Sequence, residues 1–154
     1  MSWQSYVDTN LLGGAEPKLV EAAILSQNDT GVWAISQGYQ AKFTAKEQAD
    51  IRTAFAVHQL PEGTKEEQAA KAKAVESGVQ GNGIRVRGTK FMCTKNTPDS
   101  IYGTKKTADG RVIGVIMART KLAILVAEYE PPHQAGEAAP VVESLAEYLR
   151  TANS

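Results

Sequence analysis

The spacing of hydrophobic and polar positions changes several times along the 154 residues of the chain. Near its start, Trp3, Tyr6, Val7, Asn10 and Leu11 recur every three or four positions. That spacing predicts a short amphipathic helix, stopped by Gly13-Gly14, with both aromatics on one side. Two short apolar runs, Glu21 to Ser26 and Val32 to Ser36, flank the polar turn Asn28-Asp29-Thr30-Gly31. They read as a β-hairpin with Trp33 in its second strand. Thr44-Ala-Lys-Glu47 has capping-box spacing, and Ile51, Ala54 and Phe55 behind it mark a helix face ending near His58. Thr64-Lys-Glu-Glu67 repeats the cap ahead of an Ala-rich stretch from Ala69 to Glu76, with Gly78 at its end. A second helix is predicted there on propensity, mounted on the surface, because Val75 and Val79 are its only large apolar residues.

From Gly83 the period shortens to that of strands. Short runs at Ile84 to Arg87, Lys90 to Thr94, Ser100 to Gly103, Arg111 to Ala118 and Leu122 to Tyr129 are separated by turn residues, which fits an antiparallel meander. After Glu130-Pro131-Pro132 a last helix is predicted over 138–150, with the stripe Val141, Val142, Leu145 and Leu149 and with Tyr148 at its margin. The order helix, hairpin, helices, meander, helix predicts an α+β fold in which an antiparallel sheet is covered by helices.

Composition narrows the function classes. With 42% hydrophobic and 22% charged residues the chain has the make-up of a globular protein. Its length suits one domain, 1–154, with its own core. The single cysteine, Cys93, can form no internal disulfide, and no apolar run reads as a signal peptide or a membrane span, so a cytoplasmic protein is expected. Cys93 alternates with Phe91 in a predicted strand and reads as a small buried hydrophobe. The two histidines, His58 and His133, stand near no nucleophile motif, no Cys, His, Asp or Glu spacing matches a metal site, and Gly81-Asn82-Gly83 precedes a strand rather than a helix. An enzyme and a bound cofactor are therefore not expected.

Charge is uneven although the formal net charge is zero. Residues 83–121 hold nine of the seventeen Lys and Arg and only two acids, Asp99 and Asp109, so this segment is net +7 and the remainder net −7. A basic face of this kind steers acidic partners. Binding of single-stranded nucleic acid would interleave aromatics with the basic strands. Trp3, Tyr6, Trp33 and Tyr148 instead lie in neutral or acidic parts of the chain, which predicts two binding surfaces of different chemistry and no nucleic-acid partner.

Four stretches together resemble one family. Met1-Ser-Trp-Gln-Ser-Tyr-Val-Asp, Val32-Trp-Ala-Ile-Ser36, Ile101-Tyr-Gly103 and Val141-Val-Glu-Ser-Leu-Ala-Glu-Tyr-Leu149 look like profilin, in order along the chain and excluding roughly 59–79. The resemblance implies a central antiparallel sheet with the terminal helices on one face and the middle helices on the other, and an extra helical insertion at about 61–78. It implies a polyproline groove at Trp3, Tyr6, Trp33 and Tyr148. It also implies an actin surface at Lys90, Lys95, Lys105, Gln134 and Gly136, and weaker phosphoinositide contacts at Lys105, Lys106 and Arg111. The implied function is binding of monomeric actin and of proline-rich proteins such as formins, with phosphoinositide sensitivity, by a monomeric protein of the cytoplasm and cytoskeleton. The rival reading is a proline-peptide and phosphoinositide adaptor with weak actin binding.

Overall fold

The computed structural model describes residues 2–154. Among these residues four α-helices and seven strands follow the predicted order: α1 Trp3–Ser5, β1 Glu21–Ser26, β2 Val32–Ile35, α2 Ala45–Ala56, α3 Lys65–Val75, β3 Ile84–Val86, β4 Thr89–Asn96, β5 Ser100–Lys106, β6 Val112–Arg119, β7 Ala123–Tyr129 and α4 Ala135–Thr151. The strands form one antiparallel sheet in the order β2-β1-β7-β6-β5-β4-β3. The meander runs through five consecutive strands, and the first hairpin adds to it by pairing β1 with the last strand, β7.

Alternation along the strands divides the core into two layers. On one face Ala22, Ile24, Ile116, Leu125 and Ala127 meet Val7 and Leu11 from the N-terminal helix and Val142, Leu145 and Leu149 from α4. On the other, Leu25, Met117, Ile124 and Val126 meet Tyr39, Phe43, Ile51 and Phe55 from the middle of the chain. Terminal helices on one face and middle helices on the other is the arrangement the sequence resemblance implied. At Gly114, opposite Tyr129 in the β6–β7 register, a Cβ would clash with the phenol ring, so a glycine is needed for the ring to lie there.

Local signals hold the helix starts. Thr44 Oγ1 accepts from Glu47 N–H at 3.2 Å and Thr64 Oγ1 from Glu67 N–H at 3.0 Å, and each glutamate returns a bond to its cap. After Ser5 the N-terminal helix widens into π-type turns over Tyr6–Leu11, and a Cβ at Gly13 would strike the Thr9 carbonyl, which fits its place as a stop. No side chain of α3 is buried, as its lack of large apolar residues predicts. The chain runs on through a π-type segment, Glu76–Gln80, bent at Gly78, and there Val79 enters the core.

The last helix differs from its predicted extent. It begins at Ala135, with Glu137 and Ala138 N–H groups both bonded to the Gln134 carbonyl. Pro140, expected near the helix start, therefore lies in the second turn and lacks the N–H that would bond the carbonyl of Gly136. The helix absorbs this because its apolar stripe begins ahead of the proline, at fully buried Ala138.

Candidate functional site

Four aromatics from three separate elements meet at one edge of the molecule. The side-chain amide of Gln4 explains how the first of them arrives there. It donates to the Ile35 carbonyl at 3.0 Å and accepts from Ile35 N–H at 3.2 Å, satisfying both backbone groups of this residue of β2, the edge strand. The N-terminal helix is thereby fastened to β2, and Trp3 packs on Trp33 with ring centroids 4.7 Å apart. Trp3 also meets Tyr6 edge-on at 5.7 Å, and Tyr6 lies 6.4 Å from Tyr148 of α4. The four predicted aromatics thus form one unbroken row, Trp33-Trp3-Tyr6-Tyr148.

The row has one side in the core and one in solvent. Trp3, Tyr6 and Trp33 are half-buried against the terminal-helix core layer, while Tyr148 is 57% exposed. A cleft of about 440 Å³ opens beside the two tyrosines, lined by Tyr6, Asn10, Val141, Ser144, Leu145 and Tyr148. Desolvation and the neighbouring Tyr148 phenol push the Tyr6 phenol above its ordinary value, so it stays a neutral donor. Asn10, which shares the helical spacing of Tyr6 and Val7, and Ser144 add polar groups to the cleft that the sequence motifs did not assign to it. Gln4, whose role depends on a strand 31 residues away, was equally hidden.

The basic residues distribute over the open part of the sheet. Strand β4 carries a bulge between Cys93 and Lys95, so Met92 pairs with Thr104 and Lys95 with Tyr102. Lys90, Met92 and Lys95 consequently leave the strand toward the face on which α4 packs; Met92 is 75% exposed there, while the Lys90 side chain bends along Gly83 to a cleft that it lines with Lys46, Glu47 and Asp50 of α2. Lys105 pairs with Ile113 on the opposite face, and Lys106, its neighbour, returns to the α4 face. The predicted cations are therefore not one patch: Lys90, Lys95 and Lys106 share a face and Lys105 does not. Arg111 is exposed just before β6. Gln134 and Gly136 are exposed at the start of α4, with open space around Gly136.

Two interactions orient α4 across this face. Glu143 Oε1 accepts from Ser100 Oγ at 2.7 Å and from Tyr102 Oη at 2.9 Å. Farther along, the Arg150 guanidinium donates to the Arg119 carbonyl at 2.7 Å and 3.0 Å. Since Arg119 lies by Asp99, at the Ser100 end of β5, the start of α4 points toward the Lys106 end. The groove and the open strand face thus flank the same helix on its two sides.

Nothing in this geometry resembles a reaction centre. His58 is buried with Nε2 2.7 Å from Asn96 Oδ1, a paired structural histidine. Cys93 is half-buried against the middle-helix core layer, less enclosed than the sequence suggested, and burial raises its thiol pKa. Among the described residues no group of three His, Cys, Asp or Glu could hold a metal ion, and no helix is long and apolar enough to cross a membrane.

Comparison with known proteins agrees with the sequence motifs and the topology. A family model described as Profilin matches residues 1–154. Profilin-1 of Dictyostelium discoideum is 37% identical over 150 residues, covering 97% of this chain and 97% of its own. The structure of Schizosaccharomyces pombe profilin superimposes with a TM-score of 0.76 at 33% identity, covering 99% of this chain and all of the other. Mouse profilin IIa, solved in complex with a double repeat from the FH1 domain of mDia1, shares the fold with a TM-score of 0.70 at 20% identity and full coverage of both chains. By motif, fold and likeness over its whole length, the chain belongs to the profilin family.

Proposed function

We propose that this profilin binds monomeric actin through the open basic strand face and proline-rich peptides through the aromatic row, and so regulates actin polymerisation. It does so by binding and not by chemistry. The observation that carries the reading is the continuous row Trp33-Trp3-Tyr6-Tyr148. A polyproline II helix is extended before it binds, so docking costs little ordering entropy. Flat rings pack its pyrrolidines, and indole N–H and phenol O–H groups reach its carbonyls. The mouse relative in complex with an FH1 repeat supports the same class of partner here, proline-rich proteins such as formins.

Lys90 and Lys95, with Gln134 and Gly136 at the start of α4, form the proposed actin surface, and Lys105 contributes from the far side of its strand. Cations facing an acidic partner accelerate encounter and add specificity. Lys105, Lys106 and Arg111, grouped at one end of β5 and β6, are the proposed phosphoinositide contacts. We read the chain as one domain, 1–154, with 61–78 inserted, acting as a monomer in the cytoplasm and cytoskeleton.

Separating the two surfaces tests the proposal. Both tryptophans of the chain lie in the row, so intrinsic fluorescence reports its occupancy by an oligoproline of about ten residues. Trp3→Ala should weaken oligoproline binding by about thirty-fold or more, the loss of a central aromatic anchor, and leave actin binding unchanged. Lys90→Glu and Lys95→Glu should weaken actin binding and leave oligoproline binding unchanged. Equal damage to both ligands by the charge reversals in folded protein refutes the two-surface reading.

A further inference from the structure

Lys95 is held in an unusual way for a surface lysine. Its Nζ sits 4.8 Å from the centroid of the Tyr102 ring, the residue paired with it across the β4–β5 bulge. The ring is itself fixed, because Tyr102 Oη donates to Glu143 Oε1 at 2.9 Å and that oxygen also accepts from Ser100 Oγ at 2.7 Å. Glu143 belongs to α4, which is anchored in the core on both sides of it by Val142 and Leu145. A chain of contacts therefore runs from the buried helix through a carboxylate and a phenol to an ammonium group at the surface.

We propose that Tyr102, oriented by Glu143, is the positioning residue that presents Lys95 to an acidic protein surface. This rests on the reading of the basic strand face as the actin surface. A free lysine must give up side-chain rotamers when it meets a carboxylate, which cancels much of an exposed ion pair. A lysine already perched on a ring has surrendered part of that freedom before its partner arrives. The carboxylate behind the phenol adds electron density to the ring, which strengthens its hold on the ammonium group. The bond from Tyr102 to Glu143 persists at physiological pH. Burial, followed by the bond to Glu143 and its charge, pushes the Tyr102 phenol up to about 12, so the O–H remains a donor.

The experiment measures monomeric-actin affinity and side-chain NMR on the full chain. In the free protein the ε-methylene protons of Lys95 should show an upfield ring-current shift that disappears in Tyr102→Leu. Actin affinity should fall roughly two- to five-fold in Tyr102→Leu, the range expected for an exposed cation–π contact. It should fall no further when Tyr102→Leu is added to Lys95→Ala, because the ring then has no ammonium to place. Tyr102→Phe keeps the ring and loses the Glu143 bond, so its affinity should lie between wild type and Tyr102→Leu. Oligoproline binding should be unchanged throughout. Absence of the upfield shift overturns the proposal. So does an equal loss from Tyr102→Leu with and without Lys95, which would mark a structural role. If Tyr102→Leu fails to fold, wild-type actin affinity and an unmoved Lys95 shift in Tyr102→Phe would refute the coupling to Glu143. Unchanged affinity in Lys95→Ala would refute the actin-surface reading together with this one.

Discussion

Glu47 holds the β3–β4 hairpin, and with it Lys90 and Lys95, against α2. Its Oε1 accepts from Thr44 N–H at 2.9 Å, closing the capping box, and from Arg87 N–H at 3.1 Å, while Oε2 accepts from Gly88 N–H at 2.8 Å. Arg87 and Gly88 form the tight hairpin turn, both at positive φ, 44° and 81°. Glu47→Ala removes both acceptor oxygens and all three hydrogen bonds. A hydrogen bond to a charged group contributes about 1.5–3 kcal/mol, but water can reach exposed Gly88, so we expect a loss of about 3 kcal/mol rather than the full sum. Glu47→Gln keeps one carbonyl oxygen for Thr44 and Arg87 and turns an amide NH₂ toward Gly88 N–H, at a cost of about 1–2 kcal/mol. Each kcal/mol shifts Tm by about 2–4 °C in a chain of this size, so Glu47→Ala should melt about 6–12 °C below wild type. Thermal and urea unfolding give the magnitudes, and amide hydrogen exchange at Arg87 and Gly88 gives the location. Thr44→Ala is the control, since it removes the cap alone at a cost of about 1 kcal/mol. A Glu47→Ala protein no less stable than Thr44→Ala would show that the carboxylate does not hold the hairpin.

Two further predictions concern stability. Glu128 is buried beneath Arg87, whose Nη2 donates to Oε1 at 3.4 Å, and burial raises its pKa above 4.5 against the opposing pull of Tyr39 and Arg87. A folded pKa above the unfolded one makes its contribution fall as pH rises from the unfolded value through the folded value, so Glu128→Gln should gain stability relative to wild type on going from pH 4 to pH 7 in urea titrations. A constant difference between the two proteins over that range would contradict the burial argument. The second prediction is that replacing 62–78 with a short Gly-Ser linker leaves the melting temperature and oligoproline affinity close to wild type, because α3 buries no side chain. A cooperative loss of several kcal/mol would show that α3 carries packing energy after all; a change in actin affinity alone would assign it a role at the basic face.

Much of this fold was legible because its signals are local. Thr44 and Thr64 with glutamates three positions on fix helix starts through bonds within one turn, and the Asn28 to Gly31 turn and the alternating strands carry their own geometry. The weak amphipathicity of α3 was equally plain from its alanines. The helix containing Pro140 shows the limit: a proline usually marks a first turn, yet the burial of Ala138 against the sheet extended the helix past it. The four aromatics could be named from sequence motifs, but their contact could not. It depends on Gln4 satisfying an edge strand 31 residues away. Likewise the run of cations read as one basic face until the bulge at Cys93 and Lys95 and the alternation of β5 set Lys105 apart from Lys90, Lys95 and Lys106. Residue type and local spacing decide which elements form, since those energies act within a few residues. Which side chains meet across elements is decided by register, and register is fixed only when the whole sheet and both helix layers bury their apolar faces together.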